Sequence, residues 1–283
     1  MITDAQTDFV YFSDLIQTNP VYDAFRKNLT SILDKHKIAY DFLPGTNDIW
    51  CRDYMPVQIE QNKFIEYRYD PDYLQDIKFR KQKTYPNLVC DSIGIKTTKT
   101  DLILDGGNII KSASKVILTD KIIPENAAKY IKDELIDKLK LLFEVDYIIL
   151  VPWNPKEIFG HADGMIRFID DDHVLVDGFY SHDKSGVGEK FHKVLKAQKL
   201  TPVEFKFKVP IQSKYNWGYL NYLQLKDLIL FPQFGIDEDE QALVQIKEAF
   251  PEYASKGHIE TINCSEIIKQ GGVLNCISWN IKQ

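Results

Sequence analysis

Short apolar runs bounded by turn residues alternate along the chain with longer stretches that repeat hydrophobic residues at three- and four-residue spacing. Five segments share one plan, in which a polar or small cluster enters a short apolar run, turns, and returns as a second run. They cover 49–67, 104–119, 159–177, 219–232 and 271–281, and the last is cut short. Two of the turns are plain in the residues: Lys111-Ser-Ala-Ser-Lys115 after Asn108-Ile-Ile, and Asp170-Asp-Asp-His173 ahead of Val174-Leu-Val. Amphipathic helices are predicted over 125–143, starting just after Pro124, and over 188–198 and 238–250, the last opened by acids that suit a helix N-terminus.

Near the start of each segment stands one polar residue, Asp53, Asp105, Asp163, Asn221 and Cys276, at intervals of 52, 58, 58 and 55 residues. Such a period of about one fifth of the chain marks a repeat. A unit of strands plus a helix cannot bury its apolar face alone, whereas five units in a ring can. The expected fold class is therefore α/β, a five-bladed α/β propeller of pseudo-repeated strand–helix units. It is expected to occupy 1–283 as one domain, since no Pro/Gly-rich hinge or composition shift divides the chain, with the periodic polar residues converging at its centre. A Rossmann-type sheet also alternates strands and helices. No GxGxxG or GxxxxGK[ST] follows any strand here, and the pairs Gly106-Gly107 and Gly271-Gly272 alone can serve tight turns.

A content of 44% hydrophobic and 12% aromatic residues is ample for a core. The chain begins Met1-Ile-Thr-Asp-Ala-Gln-Thr-Asp8, polar where a secretory signal is basic and then apolar, and no run nears the roughly 18 apolar residues of a membrane span. A cytoplasmic protein without a membrane partner is expected. With 41 acids against 35 bases the net charge of −6 gives no support to a nucleic-acid surface and mildly favours a cationic ligand. Cys51, Cys90, Cys264 and Cys276 have no zinc-type spacing and are too few for a disulfide scaffold, so reduced thiols and no metal are expected. Oligomeric state is left open.

The candidate chemistry sits on the periodic positions. In Gly160-His-Ala-Asp-Gly164, residues two apart on a strand would place His161 and Asp163 on one face, a proton carrier beside an anion. Taken alone, the pair reads equally as a histidine beside a turn acid. Asp53 lies in Asn47-Asp-Ile-Trp-Cys-Arg-Asp-Tyr-Met-Pro56, a dense mixture of charge and aromatics whose plain alternative is an Arg52–Asp53 surface ion pair. Asp105 in Asp105-Gly-Gly-Asn108 can be a turn acid, and Asn221 a strand-edge residue. Lone cysteines are mostly small core residues. The glycine pair ahead of Cys276 allows the close backbone approach that a nucleophile attacking a planar carbon needs.

Five motifs in order, Trp50-Cys-Arg-Asp-Tyr-Met-Pro56, Asp105-Gly-Gly-Asn108, Gly160-His-Ala-Asp163, Tyr219-Leu-Asn-Tyr222 with Phe231-Pro-Gln-Phe-Gly235, and Gly271-Gly-Val-Leu-Asn-Cys276, resemble those of the agmatine deiminase and bacterial peptidylarginine deiminase family. The resemblance spans residues 50–276 and implies the pentein propeller of guanidine-modifying enzymes. It also implies roles. Asp53 and Asp163 would grip a planar guanidinium, Cys276 would attack its carbon as a thiolate, and His161 would protonate the leaving ammonia and then activate water. Asp105, Asn221, Trp50 and Asn108 would complete the substrate site, and no metal or organic cofactor is called for. Agmatine is the leading substrate, with free or peptidyl arginine behind it; a propeller kept only for binding, or a cysteine protease, would leave these residues without a common purpose. Departures from the family pattern surround the centre: Asp105 in place of glutamate, Gly164 in place of a polar residue, Asn275 in place of histidine, and no tryptophan–proline segment near the start.

Overall fold

The computed structural model describes residues 1–153, 158–183 and 185–283. Among them are five three-stranded sheets, each made of an antiparallel hairpin and a third strand parallel to its second strand. Strand β1 (Phe9–Ser13) pairs in parallel with β2 (Ala39–Leu43) across the helix Asp23–Lys35. In the next unit the hairpin of β3 (Val57–Glu60) and β4 (Lys63–Arg68) is joined by β5 (Thr97–Ile103). The pattern repeats with β6 (Ile110–Lys111), β7 (Lys115–Thr119) and β8 (Tyr147–Val151), and with β9 (Ile166–Phe168), β10 (His173–Asp177) and β11 (Thr201–Phe205). It repeats once more with β12 (Leu223–Leu225), β13 (Leu228–Gln233) and β14 (Ile259–Asn263).

The fifth hairpin, short in the sequence, is completed by the other end of the chain. Strand β15 (Ser278–Ile281) pairs antiparallel with β1, setting Phe9 opposite Ile281 and Phe12 opposite Ser278. The first and last strands thus close the ring within one sheet. Burial grades outward across each sheet: β9, β12 and β15 are buried throughout, while the third strands β2, β5, β11 and β14 alternate or face solvent. The innermost strands therefore crowd the axis, and whatever precedes them is delivered there.

Apolar side chains weld neighbouring sheets. Phe12, Leu29, Tyr222 and Phe231 pack in one cluster, Tyr54, Phe64, Leu118 and Trp279 in a second, and Ile117, Ile166 and Phe191 in a third. Each fully buried side chain of this size contributes about 1.5–3 kcal/mol relative to exposure. The helices expected over 188–198 and 238–250 form as Val187–Ala197 and Glu238–Ala249. The one expected over 125–143 is two helices, Ile122–Asn126 and Lys132–Phe143. Asn126 explains the break: its side chain donates to Ile103 O and Ile122 O and accepts from Ile103 N–H, so it ties the first helix to β5. Among the described residues no helix is long and apolar enough to cross a membrane.

Candidate active site

All five periodic residues lie just ahead of an innermost strand, and all are buried. Equivalent places in five units put them around one axis, where hydrogen bonds join them across blades. Asn221 Nδ2 donates to Asp163 Oδ2 at 2.8 Å and to Cys276 Sγ at 3.2 Å, while its Oδ1 accepts from the Val273 and Cys276 N–H groups. The Cys276 thiol donates to Asp163 Oδ2 at 3.4 Å. Asp53 Oδ1 accepts from Gly107 N–H, and the Gly107 carbonyl accepts from Asp163 N–H. His161 Nε2 stands 3.0 Å from Asp105 Oδ2, and its Nδ1 stands 3.7 Å from Asp53 Oδ1.

His161 and Asp163 come together by a different route from the strand expected of them. They lie in the turn before β9, and Met165 and Ile166 N–H both bond to the Ala162 carbonyl that closes it. Two glycines make room for the site. A Cβ on Gly107 would fall 2.6 Å from His161 Nδ1 and 2.7 Å from Asp53 Oδ1, and one on Gly272 would fall 2.3 Å from the Trp50 ring. Only a residue without a side chain fits either place.

Three buried carboxylates around one imidazole dictate the charge state. For His161, burial alone would lower the pKa, but Asp53, Asp105 and Asp163 outweigh it and raise it to about 10. Burial pushes Asp53 up to about 8; His161 opposes the rise, and Asp105, Asp163 and Asp48 add to it. Burial, then Asp163 and Asp53, hold the Cys276 thiol well above its ordinary range. At neutral pH the centre therefore has an imidazolium, a neutral thiol and a proton held at Asp53. A cation entering it would displace that proton and favour the thiolate.

Two cavities meet at Phe159, His161, Gly271 and Cys276. One of about 390 Å³ is walled by Trp50, Asp53, Tyr69, Tyr73 and Asp48, with no Lys or Arg among its described lining residues. The other, about 640 Å³, includes Asp163, Asp177, Asn216 and Trp217. The Trp217 ring lies 3.2 Å from where a Cβ on Gly164 would be, so the bare glycine accommodates the indole.

Three residues expected to touch substrate line neither cavity. Asn108 is buried away from both cavities and accepts from Thr119 N–H, a packing role within its own sheet. Asn221 is wholly enclosed, with both ends of its amide engaged by Asp163, Cys276 and Val273, so it can position the thiol but not meet a ligand. Asp105 lines neither cavity; it holds His161 and accepts from Tyr73 Oη at 3.2 Å. Trp50, Asp53, Asp163, His161 and Cys276 do face the cavities. Sequence reasoning missed Tyr73, Gly107 and the bond from Asn275 Nδ2 to Asp163 Oδ2 at 2.8 Å. Gly107 and Asn275 carried a signal, being the glycine after Asp105-Gly and the neighbour of Cys276; Tyr73 carried none.

A ring of five three-stranded α/β sheets, with thiol, imidazole and carboxylates gathered on its axis, defines a five-bladed propeller of the pentein class. Within that class the chain belongs to the Porphyromonas-type peptidyl-arginine deiminase family, whose sequence pattern it matches over residues 6–281. It is 27% identical over 229 aligned positions to a Streptococcus mutans protein provisionally named an agmatine deiminase; the match covers 67% of this chain and spans 60% of that relative's length. A Mycoplasma mycoides protein with the same provisional name is 23% identical, with 89% of this chain and 79% of the relative covered. The solved agmatine deiminase of C. jejuni superimposes with a TM-score of 0.77 at 16% identity, covering all of this chain and 95% of that one.

Proposed function

We propose that the chain is an amidine hydrolase that converts the guanidinium group of a small cationic substrate, agmatine foremost, to a ureido group with release of ammonia. The observation that carries this reading is the pairing of Cys276 Sγ with Asp163 Oδ2 at 3.4 Å where three buried carboxylates surround one imidazole. Such a site repels anions and is charge-complementary to a planar cation.

In this reading Asp53 and Asp163 accept guanidinium N–H bonds and fix the carbon over Cys276. As the cation binds, the protons of Asp53 and of the Cys276 thiol pass to solvent, and the thiolate that the cation stabilises adds to the carbon. His161 enters as imidazolium, protonates the departing amino group, and ammonia leaves a thiouronium on Cys276. A water attacks that carbon, His161 takes its proton, and the C–S bond breaks to return the thiol and give the urea. Asp105 keeps the imidazole charged and oriented throughout.

The 390 Å³ cavity favours an amine-terminated tail over an amino acid, because Asp48 lines it and an α-carboxylate would find no Lys or Arg among the described lining residues. Its burial raises Asp48 to about 7, so a cationic tail would draw it into the charged form. A second reading, arginine within a peptide, is favoured by the 640 Å³ cavity on the other side of Cys276. Ammonia release from agmatine, free arginine and an arginine peptide, with wild type and Cys276→Ala, tests both. Turnover of agmatine alone is the expected result; turnover of the peptide alone selects the second reading, and release that survives Cys276→Ala refutes the mechanism.

A further inference from the structure

Another cavity, about 210 Å³, lies on the opposite face of the ring of site residues. Arg52 and Asn275 line it, whereas their chain neighbours Asp53 and Cys276 line the front cavities. Where the front gathers acids, the rear gathers bases. Lys111 and Arg167, with side chains 7% and 4% exposed, both reach Asp4, at 3.2 and 3.0 Å. Asn280 Nδ2 also donates to Asp4, at 3.4 Å, so three blades converge on this one carboxylate.

The charges do not balance in the interior. Burial alone would raise the Asp4 pKa, but Lys111, Arg52 and Arg167 together hold it well below the usual carboxylate range. Burial pushes Lys111 down, Asp4 opposing and Arg52 and Arg167 adding to the fall. Three cations thus share one enclosed anion, an arrangement that is costly unless a further anion joins it. Arg52 Nε donates to Asn275 O and its Nη2 to Asn280 Oδ1, which leaves Nη1 without a partner among the described residues. The other acids of this cavity are at its rim and engaged there. Asp170 accepts from His173, and Asp171 Oδ1 accepts from Ala113 N–H.

We propose that this rear cavity binds a small inorganic oxyanion of the phosphate class, held by Arg52 and Lys111 beside Asp4. Arg52 connects it to the front, since its backbone N–H donates to Cys276 O at 3.1 Å and its Nε to Asn275 O at 3.3 Å. An anion on the guanidinium would therefore also fix the segment that carries the thiol.

The test is thermal unfolding and calorimetric titration of the whole protein with inorganic phosphate, at constant ionic strength set by a bulky zwitterionic buffer salt. Expected is a saturable rise in Tm of at least about 3 °C in wild type. The rise should vanish in Lys111→Met, and Asp4→Asn, which removes the competing carboxylate, should bind phosphate about ten-fold more tightly. No saturable rise in wild type overturns the proposal. So does an equal rise in Lys111→Met, which would mark general salting-out stabilisation. Should Lys111→Met fail to fold, the wild-type titration against Asp4→Asn decides the matter alone: affinity unchanged by Asp4→Asn places the anion elsewhere and overturns it.

Discussion

Replacing Asp163 by Asn separates two effects that a simple loss of activity would merge. The carboxylate does opposite things to the thiol and to the substrate. It stands 3.4 Å from Cys276 Sγ, and after burial it is the largest influence holding the thiol protonated. At that separation two unit charges repel by about 5 kcal/mol at an effective dielectric of ~20, before screening. In Asp163→Asn the thiol should therefore ionise more readily, and alkylation by iodoacetamide at fixed pH should quicken at least ~10-fold. The amide oxygen can still accept from Asn221 and Asn275, so the fold should hold. The amide nitrogen, however, would meet a guanidinium N–H donor to donor. Two charge-assisted hydrogen bonds lost at ~1.5–3 kcal/mol each give ~3–6 kcal/mol, or a fall of roughly 10²–10⁴ in kcat/KM. The assay is ammonia release alongside alkylation rate against pH, with circular dichroism to verify folding. A variant whose thiol becomes slower together with its turnover would refute the reasoning, because Asp163 would then be activating the cysteine directly.

Three further outcomes follow from the geometry. Gly107→Ala must push a methyl group against His161 Nδ1 and Asp53 Oδ1, so kcat should drop at least ~100-fold with the fold retained; activity near wild type would mean the pair is not held as described. Asp53 and His161, raised to about 8 and about 10, hold protons more tightly in the folded state than in the unfolded chain. Their stabilisation is complete below the unfolded values and is lost as pH climbs through the folded ones, so the Tm of the ligand-free protein should decline towards pH 10. Asp53→Asn should remove the part of that decline lying below pH 8, and a pH–Tm curve identical to wild type would contradict the assignment. Binding of agmatine to Cys276→Ala should release between about one and one and a half protons at pH 7, most from Asp53 and the rest from Asp48, and almost none at pH 9, measured by calorimetry in buffers of differing ionisation enthalpy; no release at pH 7 would show that both acids are already charged.

The ring was legible in the sequence because its period was carried by both hydrophobic pattern and polar landmarks. Asp53, Asp105, Asp163, Asn221 and Cys276 occupy equivalent places ahead of the inner strands, as their spacing in the sequence implied, while the roles expected of them came from the family resemblance. The closure of the fifth sheet was not legible. It pairs Phe9 with Ile281, and no local pattern announces a contact between chain ends. Nor was the break after Asn126, where a side chain bonding to β5 overrides continuous helical spacing. In the site, Tyr73 was invisible because it arrives from a short 3₁₀ turn, Asp72–Leu74, outside every repeat. Asn108 differs for the opposite reason: it is part of a recognisable motif, but it is buried within its own sheet, where its amide oxygen accepts from Thr119 N–H.

Equivalent positions need not hold equivalent chemistry, and Asn221 shows where the repeat has to stop copying itself. A fourth carboxylate there would stand 2.8 Å from Asp163 Oδ2 and 3.2 Å from Cys276 Sγ, with both backbone N–H groups it serves already satisfied by one oxygen. Three acids around His161 already hold a proton at Asp53 near neutrality. A fourth would need another proton, placed where a cation must dock. An amide keeps the oxygen that the Val273 and Cys276 N–H groups require and presents a donor to the two groups that need one. The thiol and Asp163 can then sit in contact without either being neutralised for good, and that contact is what a guanidinium carbon and its N–H groups would meet together.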